Sequence, residues 1–183
     1  MVGASWGGMA AMGRLLEQLP PEFRVPVAVV QHRATSSMSG VMRNYLASRS
    51  GLQVVDAEDK EPIEEGKVYL APADYHLLVD DGILALSLEA PVGLSRPSVD
   101  VLFESAAESY GPGVTAVVLT GANSDGARGA LAVKGAGGIV LVQDPEEAER
   151  PEMPEAVIRT GAADGVYRIK DLASWLTDWD KEK

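Results

Sequence analysis

Residues 1–31 read MVGASWGGMAAMGRLLEQLPPEFRVPVAVVQ. The last part, VPVAVVQ at 25–31, is a short and nearly continuous apolar run, the pattern of a strand buried on both faces of a parallel sheet. Ahead of it Met9, Met12, Leu15, Leu16 and Leu19 recur at helical spacing until Pro20 and Pro21 stop them. Only a brief strand and the small-residue turn GASWGG, at 3–8, come before that helix. Strand, helix and strand in succession predict a parallel pair joined by a crossover.

The rest of the chain continues the alternation. A helix is expected over 38–49 and strands over 53–56 and 67–70, and two short apolar runs within 77–88 flank Asp80-Asp81-Gly82, a hairpin signal. Pro97 and Ser98 open a helix with Val99, Leu102, Phe103 and Ala106 on one face, ended by Gly111-Pro112-Gly113. A second buried strand at 114–119 runs into the glycine-punctuated loop TGANSDGARG, 120–129, and then a helix over 127–134. A strand at 139–142, a short helix near 155–160 and a strand near 166–169 follow. The final helix carries Leu172, Trp175, Leu176 and Trp179 on one stripe, with Asp171 as its expected N-cap. The expected fold is α/β: a doubly wound, mostly parallel sheet with helices on both faces and a small antiparallel hairpin insertion.

Composition narrows the chemistry. A chain of 183 residues fits one domain. The absence of cysteine removes disulfides, thiolate metal sites and thiol nucleophiles, and fits a reducing cytoplasm. A net charge of -11 argues against nucleic acid or an anionic membrane as the main partner. No apolar run approaches the roughly 20 residues that span a bilayer, so the chain is not expected to be membrane-inserted.

In such sheets ligands bind outside the carboxyl ends of the strands. Three polar residues stand there: Ser5 after the first strand, His32 after the second, and Asp125 in the loop after the strand at 114–119. A hydroxyl, an imidazole and a carboxylate can act as nucleophile, base and orienter. GASWG fits G-x-S-x-G, a tight strand-to-helix turn with the serine at its apex and the Trp6 amide as an oxyanion donor. The plainer alternatives are a helix N-cap or an anion site for Ser5, a structural histidine at 32, and a helix cap at 125. With only His32 and His76 and no H-E-x-x-H pattern, a metal site is not expected. His76 reads as a structural or site-rim residue.

Seven segments, GASWGG, VVQHR, YLAPADYHL, RPSVDVLFESAA, LTGANSDGARG, GGIVLVQD and MPEAVIRTGAADGV, occur in this order over almost the entire chain. Together they resemble the catalytic domain of the bacterial chemotaxis receptor-glutamate methylesterase (CheB) family. The resemblance implies a single catalytic domain over 1–183, without the receiver domain that usually precedes it. It also implies a triad of Ser5, His32 and Asp125, with backbone oxyanion donors at Trp6 and Ala122 and no cofactor. The implied reaction is cytoplasmic hydrolysis of glutamate methyl esters, with deamidation of glutamines, on the helical signalling domain of methylated chemoreceptors. A regulatory receiver domain is a further implied partner. Trp6, Arg96 and Asn123 are candidate substrate contacts. The chain departs from the family at Trp6, where a small residue is usual, and at Gly121-Ala122-Asn123 in place of Gly-Met-Gly, where Asn123 can take the positive φ of the glycine. The rival readings are hydrolysis of a different carboxylic ester and a non-catalytic binding module on the same fold. A nucleotide-binding domain is disfavoured because G-x-G-x-x-G is missing.

Overall fold

The computed structural model describes residues 1–32 and 40–181. Seven parallel strands form one sheet: β1 (Val2–Ala4), β2 (Val27–Gln31), β3 (Gln53–Asp56), β4 (Lys67–Leu70), β7 (Thr115–Val118), β8 (Ile139–Gln143) and β9 (Gly165–Tyr167), in the order β3-β4-β2-β1-β7-β8-β9. From β1 the chain winds toward β2 and later returns to β7 on the other side of β1. The winding direction therefore reverses beside β1, which is where open α/β sheets bind their ligands.

Alternation along the strands builds two cores. Val27 and Val29, Val117 and Leu119, and Leu141 face the layer of α1 (Gly8–Leu16), α2 (Val41–Ala47) and α6 (Ile169–Lys181). Ala28 and Val30, Ala116 and Val118, and Val140 and Val142 face α3 (Val99–Tyr110), α4 (Ala127–Gly135) and α5 (Glu152–Thr160). Strands with apolar residues on both faces can only sit inside such a sandwich, which is why the runs at 25–31 and 114–119 were readable.

The hairpin forms a separate two-stranded sheet, β5 (His76–Asp80) and β6 (Ile83–Ser87). Asp81 and Gly82 both take positive φ, 37° and 90°, as a two-residue turn between twisted strands requires. It is held to α3 by hydrogen bonds from Val79 N–H to Ser105 Oγ (3.0 Å) and from Ser109 Oγ to the Val79 carbonyl (2.9 Å).

Three expected boundaries move. Residues 38 and 39 of the helix expected over 38–49 lie outside the described residues, and α2 covers Val41–Ala47. Helix α5 starts at Glu152 rather than near 155, because Pro154 falls in the first turn, where a missing N–H costs nothing. The last strand ends at Tyr167, and Ile169 opens α6 instead of closing the strand. Asp171 consequently lies inside the first turn and is not the N-cap. The Ile169 N–H donates to Glu147 Oε2 at 2.7 Å, so a carboxylate 22 residues away satisfies that end of the helix.

Candidate active site

Register places the serine and the histidine side by side. Ala4 pairs with Gln31, so Ser5 and His32 are the next residues on adjoining strands, and the His32 N–H donates to the Ala4 carbonyl at 3.0 Å. On the other flank, Ser5 N–H donates to the Thr120 carbonyl at 3.0 Å, extending the β1–β7 ladder. The Gln31 amide ties the two strand ends together, donating to the carbonyls of Ser5 (2.6 Å) and His32 (2.9 Å).

Ser5 is half-buried, and among the described residues its hydroxyl takes no hydrogen-bond partner. It does not cap α1: the N-cap is Gly7, at φ 76°, a conformation that asks for glycine, and no side chain caps that end. The amides of Trp6 and Ala122 likewise find no acceptor among the described residues.

Asp125 is 8% exposed and every acceptor position on its carboxylate is filled. Oδ2 accepts from His32 Nε2 (2.7 Å) and from the Val99 N–H (2.7 Å). Oδ1 accepts from Ser98 Oγ (2.9 Å) and from the Asp100 N–H (2.9 Å). Burial alone would raise its pKa, but the His32 hydrogen bond and the Asp100 and Val99 amides outweigh it and hold the carboxyl below the usual aspartate range. Asp125 is thus a helix cap after all, though of α3, 27 residues upstream of it at Ser98, and not of α4, which follows it and has Gly126 at its N-cap.

Asp100 returns the arrangement. Its Oδ1 accepts the N–H groups of Gly126 (2.9 Å) and Gly129 (2.8 Å), so α3 supplies the acid that caps α4 while the loop leading into α4 supplies the acid that caps α3. Burial and the nearby Asp125 charge push the Asp100 pKa up. A raised carboxyl pKa means that the folded state favours the protonated form, so this contribution to stability is present below the unfolded pKa and is lost as pH rises through the folded one. Asp100→Asn keeps the accepting oxygen and sheds the charge. It is expected to melt no lower than the parent at neutral pH, whereas Asp100→Ala, leaving two buried N–H groups bare, should lose about 1–3 kcal/mol in denaturant titration.

Four polar residues around the site were not singled out from the sequence. Ser98 was expected to open its own helix, and its hydroxyl instead serves Asp125. Thr120 Oγ1 accepts the Arg150 N–H (2.8 Å) and contacts the Trp6 carbonyl (2.9 Å), pinning the turn after β1 to the loop before α5. Gln31 and Asp100 complete the set. The triplet Ser98-Val99-Asp100 before an apolar face was the available signal, but nothing local shows that its partner is 25 residues away.

Three other candidates have definite places. The Trp6 side chain is 62% exposed, with its indole N–H donating to Glu149 Oε1 (2.8 Å) and the Arg150 guanidinium over its ring at 6.0 Å. Arg96 donates to Asp74 Oδ1 (2.7 and 3.0 Å) and to the carbonyls of Leu88 and Glu89 (both 2.9 Å), clamping the loops at the base of the hairpin. Asn123 does not adopt positive φ. Its Oδ1 accepts the Asp125 N–H (3.0 Å) in a side-chain turn, and Nδ2 lies 3.0 Å from His32 Nδ1. His76 is buried at 1% exposure; its Nδ1 accepts the Ser98 N–H (3.3 Å) and its Nε2 donates to the Ala90 carbonyl (3.2 Å).

Gly121 leaves room for all of this. A Cβ there would overlap the Met153 thioether and stand 2.8 Å from Ser5 Cβ. Gly121→Ala is expected to cost about 1–3 kcal/mol by overpacking and about 100-fold in rate by displacing Ser5. A melting curve and an initial-rate measurement on the same sample check both.

A hydroxyl, an imidazole and a buried carboxylate at adjoining strand ends, beside amides with no acceptor among the described residues, define the class: a doubly wound α/β domain carrying the groups that serine-based hydrolysis uses. The family model of CheB methylesterase matches residues 1–176. The chain is 41% identical over 182 residues to a Leptospira interrogans protein provisionally described as a protein-glutamate methylesterase/protein-glutamine glutaminase, covering 99% of this chain and 94% of that one. It is 44% identical to protein-glutamate methylesterase/protein-glutamine glutaminase 4 of Myxococcus xanthus, covering 96% of this chain but 50% of that protein, so it spans about half the length of that relative. The crystal structure of the Thermotoga maritima CheB methylesterase catalytic domain superposes with a TM-score of 0.93 at 35% identity, covering 97% of this chain and 96% of that one. The chain belongs to the CheB methylesterase family.

Proposed function

We propose that this chain is a protein-glutamate methylesterase and protein-glutamine glutaminase whose catalytic residues are Ser5, His32 and Asp125. The observation that carries the reading is the 2.7 Å bond between His32 and a fully coordinated Asp125, set one strand away from a serine whose hydroxyl has no partner among the described residues. With its Nε2 proton directed at Asp125, His32 offers Nδ1 as the base. It takes the Ser5 proton as Oγ attacks the ester carbonyl, and the Trp6 and Ala122 amides receive the oxyanion. Methanol leaves with that proton, water attacks the acyl-serine with His32 again as base, and the free glutamate departs. A glutamine follows the same steps with ammonia as leaving group. No cofactor takes part. His32 must be neutral to act as the base.

The substrate is the helical signalling domain of a methylated chemoreceptor in the cytoplasm, and a receiver domain is the regulatory partner, in keeping with the extra length of the Myxococcus relative. Among the described residues no helix is long and apolar enough to cross a membrane. With a net charge of -11 this chain gains no long-range attraction to an acidic receptor surface, which favours delivery by tethering. Trp6 supports a second reading: a fixed, exposed indole next to the serine suits a smaller or flatter carboxylic ester. Release of labelled methanol from methylated receptor membranes decides between them. Serine-dependent release supports the receptor, and turnover of small esters alone supports the second reading.

A further inference from the structure

Asn123 is fixed at one end by the main chain, since the Asp125 N–H can only donate and its acceptor, at 3.0 Å, is therefore the amide oxygen. The NH2 end then faces His32 Nδ1 at 3.0 Å. An amide NH2 can only donate in turn, so Nδ1 presents its lone pair, and the ring proton sits on Nε2, 2.7 Å from Asp125 Oδ2. The tautomer follows from two backbone-anchored contacts rather than from the ring itself.

A neutral imidazole has one in-plane lone pair, and Asn123 occupies it. The Ser5 hydroxyl, which needs that same lone pair, has no partner among the described residues. We propose that Asn123 is a latch on the base: a positioning residue that holds His32 in the right tautomer while covering its Nδ1 until a substrate draws the amide away. This rests on the reading of Ser5 as nucleophile and His32 as base. An entering ester or carboxamide carbonyl gives the Asn123 NH2 another acceptor. One hydrogen bond, Asn123 to Nδ1, is exchanged for another, Ser5 to Nδ1, and no covalent bond changes. The enzyme is thereby idle toward water while empty and armed by the carbonyl it is to cleave.

Two variants separate the latch from the turn it sits in. Asn123→Gly removes the amide. Asn123→Asp is the same size and keeps an oxygen for the Asp125 N–H, but places an acceptor against Nδ1. In ring 15N spectra of the free protein at neutral pH, Nδ1 of the parent should resonate as an unprotonated, hydrogen-bonded nitrogen. It should shift toward a free lone pair in Asn123→Gly and toward a protonated nitrogen in Asn123→Asp. Acylation by p-nitrophenyl acetate, followed as a burst, should rise about fivefold to tenfold in the first variant, the worth of one released hydrogen bond. It should fall about 100-fold in the second, which has lost the base. A protonated Nδ1 in the parent, or an Nδ1 signal unmoved by both variants, overturns the latch. Should Ser5→Ala acylate as fast as the parent, the hydrolase reading fails and the latch falls with it, whatever the spectra show of the Asn123–His32 hydrogen bond. Serine-dependent acylation with identical Nδ1 signals in the parent and Asn123→Gly rejects the latch alone.

Discussion

Ser5→Ala is expected to lower turnover of a glutamyl methyl ester by about four powers of ten or more. Its stability should stay within about 0.5 kcal/mol of the parent, because the hydroxyl takes no partner among the described residues and caps no helix. The combination is diagnostic. A serine kept for folding would give the opposite pattern, a lower melting temperature with activity to match, and a serine that is only an N-cap would cost about 1 kcal/mol and little rate. The residual rate over water should come from the Trp6 and Ala122 amides, which the substitution leaves in place. Methanol release measured beside a denaturant titration gives both numbers, and retention of most activity would remove Ser5 from the mechanism.

Asp125→Ala should instead strike fold and chemistry together. It strips four donors at once, the His32 ring, the Ser98 hydroxyl and the Val99 and Asp100 amides, from a site that is 8% exposed. A loss of about 3–5 kcal/mol is expected, since each buried donor left without its acceptor costs about 1–3 kcal/mol and several are bared together. Turnover should fall roughly 10³- to 10⁴-fold, since among the described residues the Nε2 proton of His32 has no other acceptor. The effect has a pH signature. The folded pKa of Asp125 lies below the unfolded one, so its contribution is fully present above the unfolded aspartate value of about 3.9 and is lost as pH falls through the folded value. Unfolding free energies of parent and variant should therefore draw together in acid. A gap that stayed constant down to low pH would mean that the carboxylate is not the source of the stability.

The sheet and the placement of Ser5 and His32 at its strand ends were legible for one reason: a strand buried on both faces announces itself, and open α/β sheets bind ligands beyond its last residue. The apolar runs before His32 and Thr120 located both strand ends, and the glycine turn located Ser5. What escaped were the pairings of helix ends with acids remote in the chain. Ile169 looks like the end of a strand until Glu147 is found receiving its N–H. Asp125 looks like a cap for the helix after it and caps the one before. Asn123 reads as a glycine substitute and a substrate contact, yet its φ is not positive and its side chain bridges the Asp125 N–H and His32 Nδ1. Local pattern reads periodicity and turns well, but it carries no information about which distant acid meets which amide.

The exchange of acids between α3 and α4 has a consequence for how this domain can fail. Many enzymes lose activity through small local openings that leave the remainder intact. Here the carboxylate that orients His32 is also the plug in a neighbouring helix, and that helix returns a plug of its own through Gly126 and Gly129. Withdrawing either acid bares the start of one helix and frees the segment that carries the acid for the other. The geometry of the site and the seam between the helices form a single cooperative unit, so a population of folded molecules with a disordered Asp125 should be vanishingly small, and inactivation by heat or acid should follow the unfolding curve instead of running ahead of it.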